Sequence, residues 1–151
     1  KINQLRHVRF FQDKEHFLNP EKKVFDKDRI IEFLNDKGIA LYDTASAIRR
    51  LQDNASDKFL EVIEQTDISL LLKQIPMCKA IVTTGQKATD IIREQIEVKE
   101  PTVGTSEPFE FGDKAMKLYR MPSSSRAYPL ALEKKAAAYR VMFNELGLLN
   151  E

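Results

Sequence analysis

Apolar residues recur at helical spacing through Ile30, Ile31, Phe33 and Leu34, with Asp26 placed to cap the segment and Gly38 placed to end it. The pattern predicts a helix over Lys27 to Lys37. The short apolar run Gly38 to Tyr42, closed by Asp43 and Thr44, suits a buried strand feeding a second helix through Ala45, Ile48 and Leu51. Two shorter helices are predicted at Lys58 to Glu64 and Ile68 to Ile75, the latter stopped by Pro76, which cannot continue the hydrogen-bond ladder. Lys79 to Thr84 then reads as a strand, Gly85 as a turn and Lys87 to Ile96 as a helix. Pro101 to Pro108 has a loop composition, and Phe109 to Phe111 and Met116 to Met121 are predicted strands around a Gly112-Asp113 turn. A final long helix runs from Pro129 to Leu146, rich in Ala, Leu, Glu and Lys. Strands alternating with helices imply an α/β fold with a mainly parallel sheet.

Composition narrows the class. A chain of 151 residues with 42% hydrophobic and 31% charged residues has the balance of one ordinary globular domain, residues 1–151 together. The longest apolar runs fall far short of the ~20 residues that cross a bilayer, and Lys1 to Phe11 has no apolar stretch of the secretory kind. No membrane partner is expected, and the expected compartment is the cytoplasm. One cysteine, Cys78, cannot form an internal disulfide, and His7 and His16 lie far from it, so neither a disulfide framework nor a metal site is expected. Cys78 reads as a packed small residue, and Phe10, Phe11 and Phe17 as packing rather than base-stacking residues. Net charge is only +1, but Lys114, Lys117, Arg120, Arg126, Lys134, Lys135 and Arg140 face the lone acid Glu133 between positions 114 and 140. That local excess either meets phosphates or forms a solvated basic face.

The segment Met121-Pro122-Ser123-Ser124-Ser125-Arg126-Ala127-Tyr128 stands between a predicted strand and the longest helix. Proline stiffens such a loop, and small hydroxyl residues let backbone amides approach phosphates. A following bulky residue can fill the space of an extruded base. Serines ahead of a helix also serve as caps. The segment closely resembles the DNA-intercalation loop of the uracil-DNA glycosylase superfamily, in the Met-Pro-Ser-Ser-Ser form of its thymine- and mismatch-specific branch. Gly38 to Ala45 is similar to that superfamily's second-strand motif, and Thr84-Gly85-Gln86-Lys87-Ala88 to the turn after its next strand. The three motifs occur in family order across roughly Asp26 to Phe143, nearest the hypoxanthine-DNA glycosylase-like branch.

The resemblance implies a three-layer α/β/α sandwich around a mainly parallel sheet of about four strands. It implies a monofunctional DNA N-glycosylase of base-excision repair, with DNA as partner, no cofactor and no metal, that flips uracil, hypoxanthine or a mismatched base and hydrolyses its glycosidic bond. Asp43, with Tyr42 beside it, would face the flipped base. The uracil-specific branch has asparagine at the Asp43 position, and an ionised Asp accepts hydrogen bonds without donating one. Asp43 also suits a helix cap, and the two roles are compatible. Pro122, Ser123, Ser124, Ser125, Arg126, Tyr128 and Lys87 would contact DNA, with Arg126 or Tyr128 as the wedge; the related branch carries its arginine one position later, where Ala127 stands. Met121 occupies the place of a histidine that stabilises charge on the departing base, work methionine cannot do. Gly85-Gln86-Lys87 is not a P-loop, since the upstream glycine is missing.

The superfamily's first motif, a loop holding Gly and Pro that positions the attacking water, has no counterpart in Lys1 to Phe25, where there is no glycine and the only proline is Pro20. The resemblance places its strand between those expected at Ile39 to Tyr42 and Ala80 to Thr84. The first strand and loop are therefore expected to be missing, and a chain beginning at Lys1 to be unstable or inactive. A non-catalytic nucleic-acid- or nucleotide-binding α/β module is the alternative.

Overall fold

A computed structural model describes residues 14–50 and 60–149. Among the described residues the fold is mixed α/β with four α-helices and an open three-stranded sheet, and it divides into two units, Lys1–Tyr42 with Phe143–Glu151, and Asp43–Met142.

In the first unit a 3-10 turn at Lys14–Phe17 precedes helix α1, Lys27–Lys37. The Asp26 side chain accepts from the amides of Asp28 and Arg29, and Gly38 closes the helix in the left-handed conformation at φ 66°, as the sequence predicts. Phe17 meets Phe33 edge-on at 5.1 Å, so its packing role holds; Phe10, Phe11 and His7 lie outside the described residues. His16 also packs, edge-on against Phe17. The strand expected at Ile39 to Tyr42 does not form. Among the described residues this run has no strand partner, and Leu41 and Tyr42 are 71% and 72% exposed. An apolar run becomes a strand only where a neighbour satisfies its backbone.

In the second unit β1, Ala45–Arg50, pairs antiparallel with β2, Leu60–Gln65. This corrects the helices expected through Ala45, Ile48 and Leu51 and at Lys58 to Glu64. Short segments rich in Ala, Ile and Arg carry weak propensity, and cross-strand pairing overrides it here, with an irregular register around Ala45 to Ile48. Leu51, Lys58 and Phe59 lie outside the described residues, so the correction concerns Ala45–Arg50 and residues 60–64. Helix α2, Ile68–Gln74, is capped by Asp67 and ends before Pro76.

Strand β3, Ala80–Thr84, helix α3, Gln86–Gln95, and strands β4, Thr105–Phe111, and β5, Lys114–Met121, complete the sheet in the order β3-β5-β4. One pair, β3 with β5, is parallel, and β4 with β5 is an antiparallel hairpin across Gly112-Asp113. β4 takes in Thr105 to Pro108, expected as loop. Pro108 is tolerated because β4 is an edge strand and needs no amide on its outer side. Helix α4 spans Leu132–Glu145, starting three residues after Pro129.

Central β5 is buried on both faces: Met116 and Leu118 join Ile68, Leu72, Ile92, Ile96 and Phe109 in one core, while Tyr119 and Met121 are 2% and 1% exposed. Cys78 packs against that core, its thiol donating to the Ala80 carbonyl. No helix among the described residues is long and apolar enough to cross a membrane.

Leu118, fully buried at the centre of this arrangement, is the most sensitive apolar position. Leu118→Ala should cost about 2–5 kcal/mol, read as a lower urea midpoint at an unchanged denaturant slope.

Candidate functional site

Two of the segments singled out in the sequence meet at one end of the parallel pair. The register sets Thr84 opposite Met121, so the Gly85 turn and the Pro122–Tyr128 loop leave the sheet at the same level. The Gly85 amide donates to the Met121 carbonyl at 3.3 Å, and a Cβ built on Gly85 would sit 3.8 Å from that of Ser123. Space is adequate there; the backbone, at φ 109°, is what requires glycine. A buried hydroxyl chain holds the turn from beneath: Thr83 Oγ1 donates to Thr89 Oγ1 at 2.8 Å, and Thr89 Oγ1 donates to the Gly85 carbonyl at 2.9 Å.

The serine loop orders itself locally and is then tied to α4. Ser123 Oγ accepts from the Ser125 amide and Ser125 Oγ from the Ala127 amide, each at 3.2 Å, while the Tyr128 amide donates to the Ser125 carbonyl. Lys135 and Tyr139, one turn apart on α4, donate to the carbonyls of Ser125 and Pro122 at 2.7 and 3.2 Å. Both halves of the loop are thus held through backbone oxygens. Ser124 and Arg126 remain exposed, and Tyr128 is half-buried with Lys135 Nζ 5.3 Å from its ring centre.

Lys135 is a correction to the expected basic face. It is 8% exposed and serves the loop rather than solvent. Lys114 donates to the Pro76 carbonyl at the opposite end of β5, and Arg120 lies in a polar network, so the run of cations between positions 114 and 140 does not form one phosphate-facing patch. Lys117, Arg126 and Lys134 are exposed.

That network stands beside the Gly85 turn. Glu100 Oε1 accepts from Arg120 at 2.9 Å and from Gln86 Nε2 at 2.9 Å, and its Oε2 accepts from Arg93 at 3.1 Å. Arg120 also donates to the Gln86 side-chain oxygen and to the Pro101 carbonyl, and Gln86 Nε2 to Asp90. The Gln86 hydrogen bond holds the Glu100 carboxyl below its usual range, opposed by desolvation and helped by the charges of Arg93 and Arg120.

Of the remaining sequence candidates, Met121 and Lys87 adjoin the Gly85 turn, whereas Asp43 lies with Thr66 toward the carboxyl end of α3, where Gln95 bonds the Thr66 carbonyl. Tyr42 is exposed and belongs to the first unit, Asp43 to the second. Asp43 is exposed, its carbonyl accepting from Thr66 Oγ1 at 2.7 Å, and because β1 rather than a helix follows, it caps nothing. Met121 is buried. Lys87 lies in the first turn of α3. No cluster of His, Cys, Asp or Glu suited to a metal ion occurs among the described residues. Sequence reasoning missed the loop clamp and the Glu100 network. The i, i+4 spacing of Lys135 and Tyr139 was the available signal for the clamp, but nothing local marks Glu100.

Comparison with protein families, with curated proteins and with solved structures returns no match for this chain.

Tyr139→Phe keeps the ring and removes the donor to Pro122, so stability should fall by about 1 kcal/mol. Burial raises the Tyr139 phenol above its ordinary 10.0. Its contribution is present below the unfolded-state value and is lost as pH rises through the folded one. The variant's alkaline unfolding profile, followed by circular dichroism, should be correspondingly shallower.

Proposed function

We propose that the chain is a DNA glycosylase-like protein whose Pro122–Tyr128 loop enters duplex DNA beside an extruded base. The observation that carries this reading is the meeting of the Gly85 turn and the braced serine loop at the carboxyl end of a parallel strand pair, the end at which open α/β sheets bind ligands. The loop presents Ser124 and Arg126 outward. Both can meet phosphates, and Arg126 can fill the space of a flipped base, for which a preformed loop loses little entropy on binding. Lys87 in the first turn of α3 adds a cation at the amino end of a helix, where anions are favoured. Asp43 would read the base, and hydrolysis of the glycosidic bond of uracil, hypoxanthine or a mismatched base would follow.

The finer architecture belongs to the same proposal: a three-layer α/β/α sandwich around a mainly parallel sheet of about four strands. The second reading, a binding module without catalysis, is favoured by Met121, a buried thioether where charge on a departing base would need stabilising.

Duplexes carrying uracil, hypoxanthine, a mismatch or an abasic site test both. Base release, or preference for the abasic duplex over intact DNA, supports the glycosylase-like reading; equal affinity for every duplex without release supports the plain binding module. Within such a series Arg126→Ala should weaken abasic-duplex binding about tenfold and intact-duplex binding much less, since a wedge gains only where a base has left the stack. Equal loss on both would make Arg126 a phosphate contact. The control is Lys134→Ala alone, which should lower affinity uniformly and flatten its salt dependence.

Asp43→Asn exchanges an acceptor-only side chain for one that also donates. It should alter the relative rates of uracil and hypoxanthine release while leaving the melting temperature nearly unchanged. Unaltered relative rates would remove Asp43 from base reading.

A further inference from the structure

We propose that Glu100 is a positioning residue for this site, a brace that sets the spacing between the Gly85 turn and the serine loop without touching a ligand. The inference rests on the proposed function only for its DNA-binding readout. Glu100 stands on the connection between α3 and β4, and its carboxylate joins three points: Gln86 at the first position of α3, Arg93 two turns along the same helix, and Arg120 on β5. Gln86 follows Gly85 directly, and Arg120 precedes Met121, from which the serine loop departs. The brace therefore ties together the backbone origins of both loops.

Its internal chemistry is directional. Gln86 turns its oxygen to Arg120 and its amide nitrogen to Glu100 and Asp90, so one amide orientation satisfies a cation and two carboxylates. Arg120 divides its NH1 group between Glu100 and the Pro101 carbonyl, while its buried Nε has no partner. The Arg93–Glu100 contact alone is a half-exposed surface pair of little consequence. The Arg120 side chain is only 16% exposed, so removing Glu100 leaves a largely desolvated cation to find new partners. That rearrangement falls on Gln86 and Pro101. The carboxyl is held below its usual range, so the brace stays intact above ordinary carboxylate titration and is lost only as pH falls through that lowered value. It is a constant feature near neutrality, not a switch.

The test compares the full chain with its Glu100→Ala and Glu100→Gln variants by two readouts. The first is native-state hydrogen exchange of the free protein, resolved by residue. Glu100→Ala should accelerate exchange of the Gly85, Thr89, Ser125 and Ala127 amides, which bond to Met121, Gly85, Ser123 and Ser125, about tenfold or more, with those of Leu118 and Tyr119 at the centre of β5 unchanged. Glu100→Gln, which keeps an acceptor for Arg120, should restore part of that protection. The second is equilibrium binding of a fluorescent duplex with an abasic-site analogue at two salt concentrations. Deleting an acid beside a DNA site should by charge alone tighten binding. A brace predicts the opposite sign, a several-fold loss with an unchanged salt slope. Unaltered exchange at both loops overturns the proposal, as does uniform acceleration through the β5 core, which would make Glu100 a general stability residue. Tighter binding of the Glu100→Ala variant also overturns it. A wild-type chain that binds no duplex removes the DNA reading of the site and leaves the exchange comparison to decide the brace.

Discussion

Parallel pairing of β3 with β5 in the register that faces Thr84 with Met121 is the constraint on which the candidate site depends. A parallel pair is favoured where both of its faces are covered, and β5 meets that condition with Met116 and Leu118 on one side and Tyr119 and Met121 on the other. A slip of one residue would turn each of these side chains to the wrong face, so burial itself fixes the level at which the two loops emerge. The hydroxyl pair Thr83 and Thr89 adds a polar lock inside that packing, the two bonded to each other and to the Gly85 carbonyl rather than left unsatisfied.

Above that pair, each loop is held from its own side. Lys135 and Tyr139 grip the serine loop through carbonyl oxygens, and the Glu100 network grips the first turn of α3 through Gln86. In both cases the contacts go to backbone or to amide groups, which leaves Ser124 and Arg126 free of the scaffold's own needs. A surface that must meet a charged polymer gains affinity from groups already in place, because ordering a loop on contact would subtract from it. Lys135 shows the division of labour: a cation that would attract phosphate if exposed is instead buried and holds the Ser125 carbonyl.

Much of the secondary structure was legible because its signals are local. Asp26 and Gly38 delimit α1, Pro76 stops the helix before it, and Gly85 and Gly112 mark turns whose neighbours are strands. Each depends on a side chain acting on backbone groups within a few residues, which needs no knowledge of the rest of the chain. The serine loop and the Gly85 turn were legible as turns for the same reason. That they stand side by side was visible only as an expectation from motif order.

Partnership was what the sequence left open. The runs Ile39 to Tyr42 and Ala45 to Arg50 are both short and the first is the more apolar, yet only the second is a strand, because Leu60–Gln65 pairs with it and the described residues offer the first nothing. Lys135 and Lys134 are adjacent and chemically equal, and only the face of α4 on which each falls separates a loop clamp from a solvated cation. Arg120, Glu100 and Gln86 are spread over 35 positions and meet through the β3–β5 crossover. By itself the sequence determined caps, turns, breakers and the kinds of groups available, since these act over one or two turns of chain. The tertiary structure decided strand partners, burial of individual cations and the joining of distant polar groups, because those depend on which surfaces the pairing of β3 with β5 brings face to face.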